Sequence, residues 1–350
     1  MKIAYFITQH GYGHAFRSAQ VINALPDSAE VFIVSNVEQG FFYRAVTRTF
    51  SYRKKVFDVG CIQTDSINVD IYATLEAYSK VHHKNYKSLK DEIAILKDCG
   101  ISLVISDSAS FPMLLAAQTG IPGILLASFT WIEIYQPYMA SHPEFEWLLG
   151  AMRGEYDKAT LHLRPPLSLD ISYGQRLVDI PLIAPAGNNI RDKLVALLGV
   201  APSIRLGMLY FGSQGLSLSI EPLSQYQDWY FVTLEPLQGA CDNCKLLDRN
   251  SWRYEDIIAS SDAVVGKLGY GLLSSCMAAG MPIIYPPRSD FVEHEMLDNA
   301  ARKWGGGIPL SSSEFFDLNI RQPLEQALTL KPKPIAHDGA NVVAQFLMAL

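Results

Sequence analysis

Two polar residues follow apolar runs that predict buried strands, and together they could accept a proton. His14 follows the strand predicted at residues 2–8, after a turn that contains Gly11 and Gly13 and before a helix predicted from about Phe16. Asp107 follows the strand predicted at 103–106. Because the carboxyl ends of parallel strands meet at one edge of a sheet, both side chains are expected over one cleft. A carboxylate beside an imidazole fixes its tautomer and stabilises the imidazolium. The plainer interpretation is that Asp107 caps the next helix and His14 bonds to backbone in its turn.

A second stretch, residues 261–291, has the chemistry of an anion site. It predicts a strand at 263–265, a glycine-rich turn, a helix that ends at Gly280, and a strand at 283–285. Gly269 and Gly271 let the backbone approach a ligand closely. Lys267 adds a positive charge, and the free N–H groups of a helix N-terminus favour an anion such as a diphosphate.

Length and composition bound the fold and the kinds of partner. The chain has 350 residues, which exceeds the roughly 250–300 that one core usually serves, so two domains are expected. The strand, glycine turn and helix pattern occurs in both halves and predicts two doubly wound α/β domains. A net charge of −6 with no long Lys/Arg run argues against a nucleic-acid partner.

No membrane span or leader is expected from the apolar segments. Residues 108–132 carry no charge, but Pro112, Gly120 and Pro122 divide them into a buried helix and a strand. The apolar run after Lys2 is too short for a signal peptide, so the cytoplasm is the expected location.

Neither a disulfide framework nor a metal centre is expected. The five cysteines are odd in number and scattered, which favours reduced thiols, and the CxxC at 241–244 has no second pair with which to bind zinc. The acidic and imidazole side chains of 293–295 follow one another on a helix and so point in different directions. A solvated helix start is therefore favoured over a metal cluster. We expect no metal and no cofactor.

Together these motifs resemble a known superfamily. The 261–291 stretch, the glycine turn that ends at His14, and the succession VISD, helix, GIP and strand from residue 103 are similar to GT-B glycosyltransferases. The group in question holds the UDP-glycosyltransferases and the lipid II N-acetylglucosaminyltransferase. The resemblance implies two Rossmann-like domains across a cleft: residues 1–183 for the acceptor, 184–333 for the nucleotide-sugar donor, and a C-terminal helix in 334–350 that packs back on the first domain.

The resemblance also implies roles for particular residues. His14 is the general base, Asp107 orients it, and Gly11 and Gly13 form the acceptor-side loop. The donor-binding residues on this basis are Gly212, Ser213, Tyr254, Lys267, Gly269, Tyr270, Gly271, Leu272, Ser275, Asp290 and Phe291. Among these, Tyr254 is placed near the nucleotide base, and core packing is the other interpretation of this ring.

One position departs from the superfamily pattern. The family usually has a glutamate five residues before the glycine that ends the donor helix, where it binds the ribose hydroxyls. In this chain that position is Ser275, five before Gly280. A serine hydroxyl is uncharged and offers a single oxygen, so it cannot make a bidentate contact with the ribose.

The resemblance implies a metal-independent, inverting hexosyltransferase. Its donor would be a UDP- or dTDP-sugar, and its acceptor a small molecule, a glycan or a lipid-linked sugar. Contact with a membrane surface stays open. Two alternatives remain: a non-catalytic protein that binds nucleotide-sugars, and a UDP-sugar 2-epimerase of the same fold.

Overall fold

The structure is a computed structural model that describes residues 1–63, 68–211, 218–288 and 291–350. It contains two wholly parallel β-sheets, of seven and six strands. Each sheet has a buried apolar cluster on both of its faces. The expected doubly wound α/β architecture is confirmed.

The first sheet has the strand order β3-β2-β1-β4-β5-β6-β7. Its strands are β1 (Lys2–Ile7), β2 (Glu30–Ser35), β3 (Ser51–Lys54), β4 (Leu103–Asp107), β5 (Gly123–Leu126), β6 (Leu161–Arg164) and β7 (Leu177–Asp179). The helices between them are α1 (Tyr12–Ala24), α2 (Gln39–Ala45), α3 (Ile71–Lys87), α4 (Leu89–Asp98), α5 (Phe111–Thr119), α6 (Trp131–Tyr135) and α7 (Glu146–Tyr156), with 3-10 turns at Gln136–Ala140 and Pro143–Phe145.

The second sheet has the order β10-β9-β8-β11-β12-β13. Its strands are β8 (Arg205–Tyr210), β9 (Trp229–Thr233), β10 (Cys244–Leu246), β11 (Ala263–Gly266), β12 (Ile283–Tyr285) and β13 (Gly307–Pro309). The helices of this half are α8 (Arg191–Leu198), α9 (Tyr254–Ser260), α10 (Tyr270–Ala279), α11 (Glu293–Trp304), α12 (Ser312–Phe316), α13 (Arg321–Thr329) and α14 (Gly339–Met348), with a 3-10 turn at Glu221–Gln225.

Both sheets therefore reverse their strand order at one internal point. The reversal lies between β1 and β4 in the first sheet and between β8 and β11 in the second. Open α/β sheets bind ligands at such points, beyond the carboxyl ends of the strands, because the crossovers on either side leave a crevice there. The segments that follow β1, β4 and β11 are therefore placed to form a site, and the segment that follows β8 lies mostly outside the described residues.

Strand β1 shows why these segments form central strands. Ala4 and Phe6 join the apolar cluster on one face of the sheet, and Ile3, Tyr5 and Ile7 join the cluster on the other. Successive side chains of a strand alternate between faces, so a strand covered on both sides must be apolar throughout. This continuous apolar run holds the strand that leads into the helix carrying His14.

The last helix packs against the first sheet although it follows the second in the chain. Val343, Ala344 and Leu347 of α14 belong to the apolar cluster that includes Ile22 of α1. An isolated bridge also pairs Ile183 with the residue that precedes this helix. The connection from the first sheet to the second and the return of α14 thus lie side by side.

Two further observations complete the fold. All five cysteines are free. Among the helices that the structure describes, none combines the length and the apolar character needed to cross a bilayer.

Candidate functional site

The helix that carries His14 begins earlier than its sequence suggests. We expected a turn up to His14 and a helix from about Phe16, but α1 begins at Tyr12. Gly11 has φ 72°, a left-handed conformation that lets the chain turn directly from the strand into the helix. His14 therefore lies in the first turn of α1, on a rigid element.

His14 and Asp107 lie in contact. Asp107 is the last residue of β4, beside Ile7 of β1, and His14 Nδ1 lies 2.8 Å from Asp107 Oδ1. Both are buried, with 7% and 0% of their surfaces exposed. Because the carboxylate accepts the hydrogen carried by Nδ1, the neutral ring has its lone pair on Nε2. The pair is thus arranged as a proton acceptor that faces away from Asp107.

Asp107 is held by two more residues of the same helix. Arg17 donates to Asp107 Oδ1 through Nη2 at 2.5 Å and to Oδ2 through Nε at 3.3 Å, and Ser18 Oγ donates to Oδ2 at 3.0 Å. His14, Arg17 and Ser18 are spaced i, i+3 and i+4, which puts them on one face of a helix. The spacing of these three residues is visible in the sequence. It places them on one helix face only if the helix begins before His14, as α1 does at Tyr12.

The buried arginine keeps Asp107 charged. Burial favours the neutral carboxyl, but the charge of Arg17 and the hydrogen bonds from His14 and Arg17 outweigh it and hold the pKa of Asp107 well below its usual range. The guanidinium is itself 4% exposed and lies over the ring of Tyr270 at 4.9 Å. Arg17 therefore connects the His14 pair to α10 of the second half.

The opposite wall of the site is the N-terminus of α10. Gly269 is its N-cap residue and makes no side-chain cap. The first N–H groups of a helix have no partner within it, so they are available to a ligand. A Cβ on Gly271 would lie 3.6 Å from the Cα of Gly13, so the two glycine turns approach each other closely across the interface.

A cleft of about 430 Å³ lies between these walls. Of the residues singled out in the sequence, those that line it are Gly11, Gly13, His14, Tyr254, Lys267, Gly269, Tyr270, Gly271, Leu272, Ser275 and Phe291. Asp107 lies behind His14, away from the cleft. Gly212, Ser213 and Asp290 fall outside the residues that the structure describes.

Ser275 and Tyr254 form a hydrogen bond with each other. The Tyr254 hydroxyl is hydrogen-bonded to Gly271 O at 2.9 Å and to Ser275 Oγ at 2.5 Å. The Tyr254 ring packs at 5.2 Å from that of Tyr210 and at 5.8 Å from that of Phe16. The Ser275 hydroxyl, which occupies the position of the family's carboxylate, is therefore already hydrogen-bonded within the protein. Tyr254 borders the cleft and also packs against neighbouring aromatic rings.

The cleft also contains charged residues that the sequence analysis missed. Arg288 and Glu293 line it and are 7% and 4% exposed. We expected a solvated helix start at 293–295, and for Glu293 this was wrong, because the residue is enclosed by the second wall of the cleft. Burial raises the pKa of Glu293, although His14, Arg288, Arg17 and Lys267 oppose the shift. Among the described residues its Oε1 has no hydrogen-bond partner.

Two more missed residues belong to the side of His14: Asp58 lies behind the cleft wall, and His10 lies at its surface. Asp58 is 6% exposed and accepts from Trp131 Nε1 at 3.0 Å. Burial raises the pKa of Asp58 to about 6 against the opposing effects of its hydrogen bonds. His10 lines the cleft four residues before His14. Their positions depend on the backbone of residues 57–61, for which the sequence carries no motif.

Comparison with solved structures identifies the fold. The glycosyltransferase of kitacinnamycin has a TM-score of 0.65 and 15% identity, over 99% of this chain and 98% of that one. A spinosyn rhamnosyltransferase complexed with thymidine diphosphate has a TM-score of 0.62 and 16% identity, over 99% and 100%. Phytolacca americana UGT2, complexed with UDP-2-fluoroglucose and pterostilbene, has a TM-score of 0.60 and 14% identity, over 99% and 90%.

The chain has the GT-B fold. The resemblance noted in the sequence is thereby confirmed at the level of the fold, since these likenesses extend over nearly the whole chain. In GT-B terms, the first sheet with α14 forms one Rossmann-like half and the second sheet the other. The His14 pair and the α10 terminus face each other between them.

Comparison with curated proteins gives a relative by sequence. The chain is 26% identical over 342 residues to an L-arabinokinase from Arabidopsis thaliana, a match that covers 95% of this chain and 32% of the relative. The chain thus spans about a third of the length of that protein. No protein-family model matches the sequence.

Proposed function

We propose that this GT-B protein transfers a sugar from a nucleotide diphosphate to an acceptor hydroxyl. The observation that carries the proposal is the hydrogen-bonded pair of His14 and Asp107, set across one cleft from the N-terminus of α10. One wall offers a proton acceptor and the other an anion site, which are the two groups that sugar transfer from a diphosphate requires.

The acceptor side follows from the direction of the His14 hydrogen bond. With Nδ1 donating to Asp107, Nε2 takes the proton from an acceptor hydroxyl as its oxygen attacks the anomeric carbon. Asp107 stays ionised and stabilises the imidazolium that forms. Direct displacement of the diphosphate inverts the configuration at that carbon.

The donor side follows from charge. Negative charge builds on the departing diphosphate, and the N–H groups at the start of α10 and the Lys267 ammonium are in place before the reaction, so they stabilise it without reorganisation. Bound nucleotides in related folds support this assignment: the spinosyn rhamnosyltransferase was solved with thymidine diphosphate, and the Phytolacca americana protein with a UDP-sugar. The donor proposed here is accordingly a UDP- or dTDP-sugar.

The assignment of His14 is tested by its removal. His14→Ala is expected to lower the turnover of sugar transfer by about 10² to 10⁴, because it deletes the base. Binding of the nucleotide diphosphate should change little. The assay measures both the released UDP or dTDP and the glycosylated acceptor, for each member of an acceptor panel. The control is His83→Ala, because His83 is exposed and lies outside the cleft. Equal turnover in the two variants contradicts the assignment.

A second candidate function is binding of a nucleotide-sugar without transfer. Two observations favour it: Ser275 is engaged by Tyr254, and the curated relative is named for sugar phosphorylation and not for glycosyl transfer. Saturable binding with neither transfer nor donor hydrolysis would select it. Conversion of the donor sugar without any acceptor would instead select a 2-epimerase, and an assay with ATP and L-arabinose tests whether the relative's named activity extends to this chain.

A further inference from the structure

His10 is a second histidine at the interface, and the reaction outlined above gives it no part. Its ring stacks on that of Phe291 with centroids 5.7 Å apart and forms a T-shaped pair with that of Trp131, with centroids 5.4 Å apart. The centroid of the His14 ring lies 6.4 Å away. His10 comes from the loop after β1, and Phe291 from the segment before α11, so the ring lies where the two halves of the molecule meet.

The hydrogen bond to His10 fixes its tautomer. The backbone N–H of Cys61 donates to His10 Nδ1 at 3.2 Å. A ring nitrogen that accepts a hydrogen bond carries no hydrogen, so in the neutral imidazole the hydrogen is on Nε2. Desolvation, together with the charges of His14, Lys267 and Arg288, lowers the pKa of His10 well below its usual range, so the ring is neutral at pH 7.

The Nε2–H of His10 is available to a ligand. Within the described part of the chain, no group accepts a hydrogen bond from this Nε2–H. The nitrogen atom is also not fully enclosed by the protein. Because the ring borders the cleft, the N–H is open to the space that a bound molecule would fill.

The loop behind His10 holds the ring in place. Gly60 has φ 71°, and a Cβ on this residue would lie 2.7 Å from the Cβ of His10. The Tyr135 hydroxyl donates to Gly60 O at 2.9 Å and ties the loop to the core. The Nε2–H is therefore fixed in direction, as a group that recognises one ligand atom must be.

We propose that His10 Nε2–H donates a hydrogen bond to a hydroxyl oxygen of the sugar that is transferred. This inference rests on the proposed function. The ring of Phe291, on which His10 stacks, and the ring of Phe129, which packs against Phe291, both line the cleft. They suit the carbon framework of a sugar better than a diphosphate, whose charge is met by Lys267 and the α10 terminus. Pockets of this kind combine apolar walls with a few fixed polar groups that set specificity.

Three substitutions separate this role from a structural one. His10→Asn places an amide oxygen near the position of Nδ1, so it keeps an acceptor for Cys61 N–H but removes the donor to the ligand. His10→Gln extends an amide nitrogen towards the position of Nε2 and keeps that donor. His10→Phe removes both. Calorimetric titrations compare UDP-glucose with UDP, and dTDP-glucose with dTDP, for each protein.

The proposal predicts that His10→Asn and His10→Phe weaken binding of the better nucleotide-sugar by roughly 5- to 100-fold, because a ligand hydroxyl loses its partner. Binding of the matching diphosphate should stay within about twofold. His10→Gln should bind the nucleotide-sugar more tightly than His10→Asn. If His10→Asn binds both ligands as the wild type does, or loses both equally, the proposal is wrong.

A second measurement covers variants that fold poorly. Donor analogues that each lack one sugar hydroxyl are titrated into the wild type, and one of them should lose as much affinity as the His10→Asn substitution causes. When that analogue is titrated into His10→Asn, the two losses of affinity should not add. Full additivity for every analogue overturns the proposal. Failure of the wild type to bind any diphosphate would instead remove the proposed function itself, which distinguishes the two failures.

Discussion

At the scale of single residues, one carboxylate organises the first wall of the site. Asp107 accepts hydrogen bonds from His14, Arg17 and Ser18, and all three donors come from one face of α1. An isolated carboxylate without exposure would be neutral or destabilising, because burial penalises charge. The arginine resolves this conflict, and it also brings a positive charge close to the imidazole that is proposed to take a proton.

Arg17→Met should therefore destabilise the protein by about 3–5 kcal/mol at pH 7, since it leaves a buried carboxylate without its cationic partner. The matched control is Arg302→Met, which breaks an exposed ion pair with Asp298 and should cost less than about 1 kcal/mol. Urea unfolding measures both. Equal effects of the two substitutions would contradict the role given to Arg17.

The sign of the pH dependence follows from the depressed pKa of Asp107. A carboxyl whose pKa is lower in the folded than in the unfolded chain stabilises the fold above the unfolded value and loses that contribution as the pH falls. The difference between the wild type and Arg17→Met should thus shrink below about pH 4.

Asp58 should show the opposite dependence. Its pKa is raised to about 6 by burial, so the folded state binds the proton more tightly than the unfolded chain does. Stability then falls as the pH rises from about 4 to 6, by about 2–4 kcal/mol for this residue. Asp58→Asn should remove that slope, measured as the difference in unfolding free energy between the two proteins. A parallel pH profile for both proteins would show that the Asp58 carboxyl is not perturbed.

Some of these site residues could be predicted from the sequence and others could not, for physical reasons. His14 and Asp107 stand at strand ends, which apolar runs mark clearly, so their convergence could be predicted. Arg17 could not be assigned while α1 was expected to begin at Phe16. Asp58 and His10 depend on the path of an irregular loop, and side-chain patterns do not encode such a path.

At the scale of elements, the site is built from two helix starts and one loop. The central strands were predictable because both sheets are covered on two faces and these strands are continuously apolar. Strands β3, β6, β7 and β13 were not predicted, and β3, β6 and β7 contain charged side chains. The start of α1 was not predictable, because it depends on the positive φ of Gly11 and not on a capping side chain. Residues 71–98 likewise form two helices, α3 and α4, that are divided at Ser88, and the sequence has no proline or glycine at that break.

The loop of residues 57–61 is expected to be intolerant of a side chain at Gly60. Gly60→Ala combines a left-handed backbone with a contact of 2.7 Å to His10. Gly100→Ala is the control, since Gly100 has φ 66° and open space around it and so incurs the backbone strain alone. We expect the first substitution to cost roughly 1–3 kcal/mol more in thermal unfolding than the second, from the contact term. Equal losses would mean that the loop does not hold the ring.

At the scale of the whole molecule, contacts join the two Rossmann-like halves around the cleft. Arg17 lies over Tyr270, Gly13 approaches Gly271, and Phe291 joins the apolar cluster of the first half. The helix α14 returns to the first sheet as well. The two doubly wound halves could be anticipated from the repeated pattern of strand, glycine turn and helix, and the GT-B fold from the family resemblance. The contacts between the halves could not, because they pair residues that are far apart in the sequence.

The donor site proposed at the α10 terminus is tested by calorimetric titration of the intact protein with UDP, dTDP and GDP. We expect saturable binding of one diphosphate and a stabilisation of about 2.7 kcal/mol at a hundredfold excess over its dissociation constant. Lys267→Ala should lose that binding, whereas Lys303→Ala, on the exposed side of α11, should keep it. Binding that is lost only in Lys267→Ala supports a donor site at the α10 terminus. No binding by any diphosphate, or equal binding by both variants, would contradict it.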